Sequence, residues 1–294
     1  MKLKRKSSNQ ISEANLSIQI EEFIKSCFIA KRQPRYFYES FCDLLIDFNF
    51  IYNPDFSYSS LLKLFCDLLY DYHLDLDSPQ DLLKSLKHKS FDEWKKYFNQ
   101  MRKSHFNERR QHRYNESLNA QRLNERLLEI TNSYNALLVV SLELSYIQDV
   151  NIQKINDDLD YFLRKVNKSK YGDEILLLVW ALEQGSKSKG YHCHVAFIFD
   201  ERDRIGAWSI AKDIGELWKD VTDGDGCYFN CHDRRYLKGY EEKGVVGIGI
   251  IYSNVPYQVD RMRLVLSYLA RPTKEQYLRV KTSKKMKTFV MSQR

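Results

Sequence analysis

Glycine and proline are scarce in this chain, 11 and 5 of 294 residues. Loop-rich and repeat-rich β architectures need more of both, and the sequence holds no internal repeat or low-complexity tract. Long apolar runs are missing too. The longest, residues 175–182, falls well short of the ~20 residues that cross a bilayer as a helix. The basic start, Met1-Lys-Leu-Lys-Arg-Lys-Ser-Ser8, has no apolar stretch behind it, so it is expected to be a solvated tail rather than an export signal. Without such a signal, the six cysteines (27, 42, 66, 193, 227 and 231) are expected to be reduced thiols in a cytoplasm.

What is present is an ordinary folded composition, 43% hydrophobic and 29% charged. The length allows two modest domains. The net charge of +7 favours a polyanionic partner, because each Lys or Arg set on a phosphate releases condensed counterions.

Residues 1–90 are predicted to be an all-α region. Apolar residues recur at three and four over 16–24, 36–50 and 58–72, punctuated by Pro34, Pro54 and Pro79. Residues 91–133 are polar and crowded with Arg102, Lys103, Arg109, Arg110 and Arg113, which predicts a long, mostly exposed helical connector. Such a helix lies along DNA or simply links two domains. From residue 134 the character changes. Strands are predicted at 136–145, 175–184, 192–200, 227–232 and 245–252, and helices at 156–166, 207–221 and 256–271. Interleaved in this way, residues 134–294 are expected to form an α+β domain with a central, mainly antiparallel sheet flanked by helices.

The informative segment is Trp180-Ala-Leu-Glu-Gln-Gly-Ser-Lys-Ser-Lys-Gly-Tyr-His-Cys-His194. Two strands flank a Gly-Ser-Lys turn, which predicts a hairpin. Alternation puts His192 and His194 on one face and sends Cys193, Val195, Phe197 and Phe199 into a core. Glu183, beside the turn, should lie opposite the histidines. Two imidazoles and a carboxylate suit a divalent cation that keeps positions open for water or phosphate oxygens. Lys187 and Lys189 in the turn either hold phosphates or are ordinary surface lysines. Cys227-x-x-x-Cys231-His232 invites a zinc reading, but the spacing is not that of a standard knuckle and no second ligand pair is evident, so small buried cysteines are the plainer reading.

His-Cys-His resembles the His-hydrophobic-His signature of HUH endonucleases. Trp180-Ala-Leu-Glu183, Lys189-Gly-Tyr-His-Cys-His194, Gly247-Ile-Gly-Ile-Ile251, Ser267-Tyr-Leu-Ala-Arg271 and Gln276-Tyr-Leu-Arg-Val-Lys281 are similar to inovirus gene II-like replication-initiation proteins and their prophage-encoded relatives. The resemblance covers roughly residues 115–290. It implies Glu183, His192 and His194 as ligands of Mg²⁺ or Mn²⁺. It also implies a helical tyrosine that attacks the scissile phosphodiester of single-stranded or extruded DNA, with a host helicase and polymerase as further partners. The candidate nucleophile is Tyr268, which stands away from the stripe Val259, Met262, Leu266 and Leu269 and near the cations Arg261 and Arg271. The family pattern reads Tyr-Leu-x-Lys; here Arg271 holds the Lys place, keeping the charge but not readily giving up a proton. Tyr236-x-x-x-Tyr240 has the spacing of two-tyrosine HUH enzymes and is a second candidate. Rival readings are a DNA-binding prophage protein without catalysis, a transposase or relaxase using the same chemistry, and an unrelated metal hydrolase that needs no tyrosine.

Overall fold

The structure is a computed structural model that describes residues 11–71, 78–185, 189–204, 206–270 and 276–292. The expected basic tail, Lys187 and Arg271 lie outside them. The chain divides into two compact units. One holds residues 1–111, 186–190 and 278–286; the other holds 112–185, 191–277 and 287–294.

The first unit is helical. It contains α1 (Glu13–Ile29), α2 (Phe37–Ile51), α3 (Ser60–Asp71), α4 (Pro79–Lys87), α5 (Phe91–Asn99) and the first turns of α6 (Arg102–Ser133). Each start follows from its sequence. The Ser12 hydroxyl accepts from the Asn15 amide at α1, Ser78 precedes Pro79 at α4, and Ser90 and Glu93 form a capping box at α5. Apolar residues at helical spacing then meet in an aromatic core. Phe41 lies 5.0 Å from Trp94 and 5.4 Å from Phe98, ring centre to ring centre, and Trp94 Nε1 donates to the Leu86 carbonyl. A late segment closes this unit. Strand β1 (Ser57–Tyr58) pairs antiparallel with β7 (Val280–Lys281), and next to β7 the buried Arg279 donates to the buried Glu21 at 2.9 Å.

The second unit has the expected α+β fold on an antiparallel sheet, with bounds that differ from residues 134–294: it takes in 112–133 and leaves 186–190 and 278–286 to the first unit. The central strand is β2 (Ala136–Tyr146). Next to it run β4 (Tyr191–Asp200), then β3 (Leu177–Gln184), then β8 (Phe289–Met291). The other edge of β2 is shared. β5 (Gly226–Asn230) pairs with residues 142–146 and β6 (Gly249–Tyr252) with residues 136–139. Between them the chain leaves the edge and forms α9 (Arg234–Glu241).

Helices cover both faces, which explains why β3 is buried at every position instead of alternating. α7 (Ile152–Asn167) and α8 (Ala207–Val221) form one layer, and the Trp218 Nε1 of α8 donates to the Ser145 carbonyl. On the opposite face, Leu137, Val139, Val179, Ala181, Ala196 and Ile198 form one core. That core includes Leu123 and Leu127 of α6 and the stripe Val259, Met262, Leu266 and Leu269 of α10 (Pro256–Ala270). This second face also carries the residues singled out for chemistry.

Candidate metal centre

The β3–β4 hairpin sets the geometry. Its register pairs Glu183 with His192 and Ala181 with His194. Directly paired residues share a face, and successive residues alternate, so Glu183, His192 and His194 all rise from the α10-covered side. The Glu183 Oε2 is 3.6 Å from the Nε2 of His192 and 3.6 Å from the Nε2 of His194. One donor atom from each residue lies within 4.8 Å of the others. Atoms bound at ~2.1 Å to one cation stand roughly 3.0–3.4 Å apart, so the three can close on an ion with small side-chain movements.

Burial strengthens the metal reading. Glu183 is 2% exposed, and among the described residues neither of its carboxylate oxygens receives a hydrogen bond. A carboxylate buried in this way is costly unless a cation or donor compensates it. The residues therefore fit a divalent ion by donor chemistry and by this uncompensated group. Access is one-sided: the His192 side chain is 1% exposed, whereas that of His194 is 20% exposed.

A further carboxylate comes from β2. Glu143 pairs with His194 across the sheet, and its Oε2 is 3.9 Å from His194 Nδ1. It therefore faces the ring nitrogen that the Glu183 side does not use, where it can orient the imidazole. The signal for Glu143 was available in Ser141-Leu-Glu-Leu-Ser145, whose polar residues alternate.

Arg261 lies on α10 with its guanidinium 5.0 Å from the Tyr257 ring, and Lys189 is exposed. Tyr268 is 39% exposed. At 100° per residue it points roughly 150° away from the α10 stripe that packs on the ligand-bearing face.

The α9 tyrosines stand differently. In one row across the sheet, Phe229 of β5 pairs with Glu143, and Glu143 pairs with His194. Two strand spacings, about 10 Å, separate Phe229 from His194 along that row. Tyr236 packs edge-on against Phe229 at 4.9 Å between ring centres. The Tyr236 and Tyr240 hydroxyls are 3.1 Å apart. Burial, followed by the Tyr240 hydroxyl, pushes the Tyr236 phenol well above the ordinary tyrosine range, so Tyr236 keeps its proton.

His232 has a structural task. Its Nε2 accepts the Ser141 amide at 3.0 Å, and burial lowers its pKa to about 4. Among the described residues, the Glu183, His192 and His194 set is the cluster with metal-ligand geometry. Comparison with family models, curated proteins and solved structures gives no match.

Proposed function

We propose that this protein is a metal-dependent endonuclease that nicks single-stranded DNA through a phosphotyrosine link, the chemistry of a rolling-circle replication initiator. The observation that carries the reading is the convergence of Glu183, His192 and His194, with a buried carboxylate that accepts no hydrogen bond from the described residues. A divalent cation such as Mg²⁺ or Mn²⁺, when bound there, supplies Lewis-acid polarisation of a phosphate oxygen.

For the nucleophile we favour the α9 pair over Tyr268, because Tyr236 packs on Phe229, which shares a sheet row and face with Glu143 and His194. Tyr236, which keeps its proton, stands with its hydroxyl 3.1 Å from that of Tyr240 and can donate to it. The Tyr240 oxygen attacks phosphorus, its proton passing to solvent. An O–P bond forms at tyrosine, the bond from phosphorus to the 3′ oxygen breaks, and that oxygen leaves as a hydroxyl after taking up a proton. The strand keeps a 5′-phosphotyrosine end, and the freed 3′-hydroxyl can prime a polymerase. The bond energy stays in the ester, so the reverse reaction rejoins ends without ATP. The basic balance of the chain suits the anionic substrate.

The test is a covalent-adduct assay on labelled single-stranded oligonucleotides with Mn²⁺. Wild-type protein should form an SDS-resistant adduct, lost on chelation and in His192→Ala/His194→Ala. Tyr236→Phe/Tyr240→Phe should lose it and Tyr268→Phe should keep it; the opposite pattern returns the role to Tyr268. Cleavage that leaves no covalent link would identify an ordinary metal hydrolase.

A further inference from the structure

The second unit holds a cavity of about 280 Å³ where the chain between α9 and β6 meets the first turns of α10. We propose that this cavity is a base-reading subsite that takes one unpaired guanine of the DNA strand. The inference rests on the reading of the site as one that acts on single-stranded DNA.

The size comes first. Small-molecule sites run to ~300–1,000 Å³, so this cavity lies at the lower edge and suits one ring system rather than two stacked nucleotides. Its apolar wall includes Ile248 and Ile250, the latter 40% exposed. Tyr257 stands at the cavity, 56% exposed, with the Arg261 guanidinium over its ring. An exposed aromatic face flanked by a cation is a stacking platform for a nucleobase.

The polar groups narrow the base. Among the described residues Arg261 has no carboxylate within ion-pair distance. The Gln258 Oε1 accepts the Tyr252 amide at 2.8 Å, which leaves the side-chain amide hydrogens as donors. Glu241 supplies an acceptor. Two donor groups and a carboxylate around one cavity match guanine, whose O6 and N7 accept while N1 and N2 donate.

Two glycines set how closely this segment approaches α10. Gly244 has φ +61°, and a Cβ built there would lie 3.3 Å from the Arg261 guanidinium. At Gly247 a Cβ would meet the Arg261 carbonyl oxygen at 2.3 Å, which backbone cannot relieve cheaply. Both glycines therefore let the α9–β6 segment lie directly against α10 at Arg261. The same segment is tied to the tyrosine helix, since the Val245 amide donates to the Tyr240 carbonyl. A guanine held here sits a few residues along the chain from the proposed nucleophile, so the subsite selects which phosphate is presented.

The test uses the full chain in EDTA and a pool of single-stranded DNA with 20 randomised positions. Selection should enrich guanine at one position. In the selected oligonucleotide, exchanging that guanine for adenine should weaken wild-type binding at least tenfold. The same exchange should change binding by less than twofold for Tyr257→Ala/Arg261→Gln. Arg261→Lys, which keeps the charge and loses the two-pronged donor, should bind single strands yet lose the guanine preference. Failure to enrich guanine, or a preference that survives both variants, overturns the subsite. Adduct formation in Mn²⁺ on the same oligonucleotide separates the two readings. A guanine preference without an adduct sinks the nicking reading alone, and an adduct whose sequence preference ignores Tyr257 and Arg261 sinks the subsite alone.

Discussion

The buried carboxylate of Glu183 sets stability against function in a measurable way. Its oxygens are enclosed with no hydrogen-bond donor among the described residues, and Oε2 lies 3.6 Å from two imidazole nitrogens. Leaving a buried polar group uncompensated costs about 1–3 kcal/mol, and more when it is charged. Glu183→Gln keeps the shape and removes the charge, so in EDTA the variant should be the more stable protein. At roughly 2–4 °C per kcal/mol for a domain of 150–250 residues, its melting temperature should rise by about 2–10 °C. Manganese reverses the order. A ligand at 100 times its dissociation constant stabilises the folded state by about 2.7 kcal/mol, which raises the wild-type melting temperature by roughly 5–10 °C. The variant, one ligand short, should show little of that gain. Differential scanning fluorimetry of both proteins, in EDTA and across a Mn²⁺ titration, reads the crossing directly. If Mn²⁺ leaves the wild-type melting temperature unchanged, or shifts the variant equally, Glu183 is not a ligand and the metal reading fails.

Two other predictions concern stability. Burial depresses His232 to about 4 from an ordinary value near 6.5, so the unfolded chain binds its proton more readily. This group's contribution is complete above pH 6.5, is lost as pH falls, and levels off below about pH 4. Urea unfolding should show the wild type losing up to about 2 kcal/mol more than His232→Gln between pH 7 and pH 5; parallel losses would contradict the assigned cause. In the first unit, Arg279→Met removes one of the two cations on the buried Glu21, leaving Lys25, and should cost about 1–3 kcal/mol in chemical denaturation. Glu21→Gln/Arg279→Met should recover much of it, and a double variant no better than the single one would refute the pairing.

The metal trio was legible in the sequence because its geometry is local. One turn fixes the hairpin register, and alternation does the rest. The α+β character and the central antiparallel sheet were legible for a similar reason, since each long element carries its own periodicity. Pairings between distant segments were not. β1 and β7 are two residues each and meet across more than two hundred positions, so neither has a pattern of its own. Glu143 alternated visibly, but which face it shared depended on β4. The apolar stripe of α10 was also readable, while the layer it would pack against was not, and that layer decides where Tyr268 points. Gly244 and Gly247 read as loop residues; their importance comes from the approach of α10.

The late strands bear on how the protein is made. β8 covers the outer edge of β3 through Ala181 and Val179, and β7 completes β1, yet both lie beyond residue 279. A nascent chain whose first 277 residues have left the ribosome already carries every proposed ligand and all three candidate tyrosines. It still presents the strand bearing Glu183 as an open edge, ready to pair with a stranger. Closure of the sheet edge beside the candidate metal centre therefore waits for residues 289–291, and the interval before β8 docks is the one in which β3 is most exposed to misassembly.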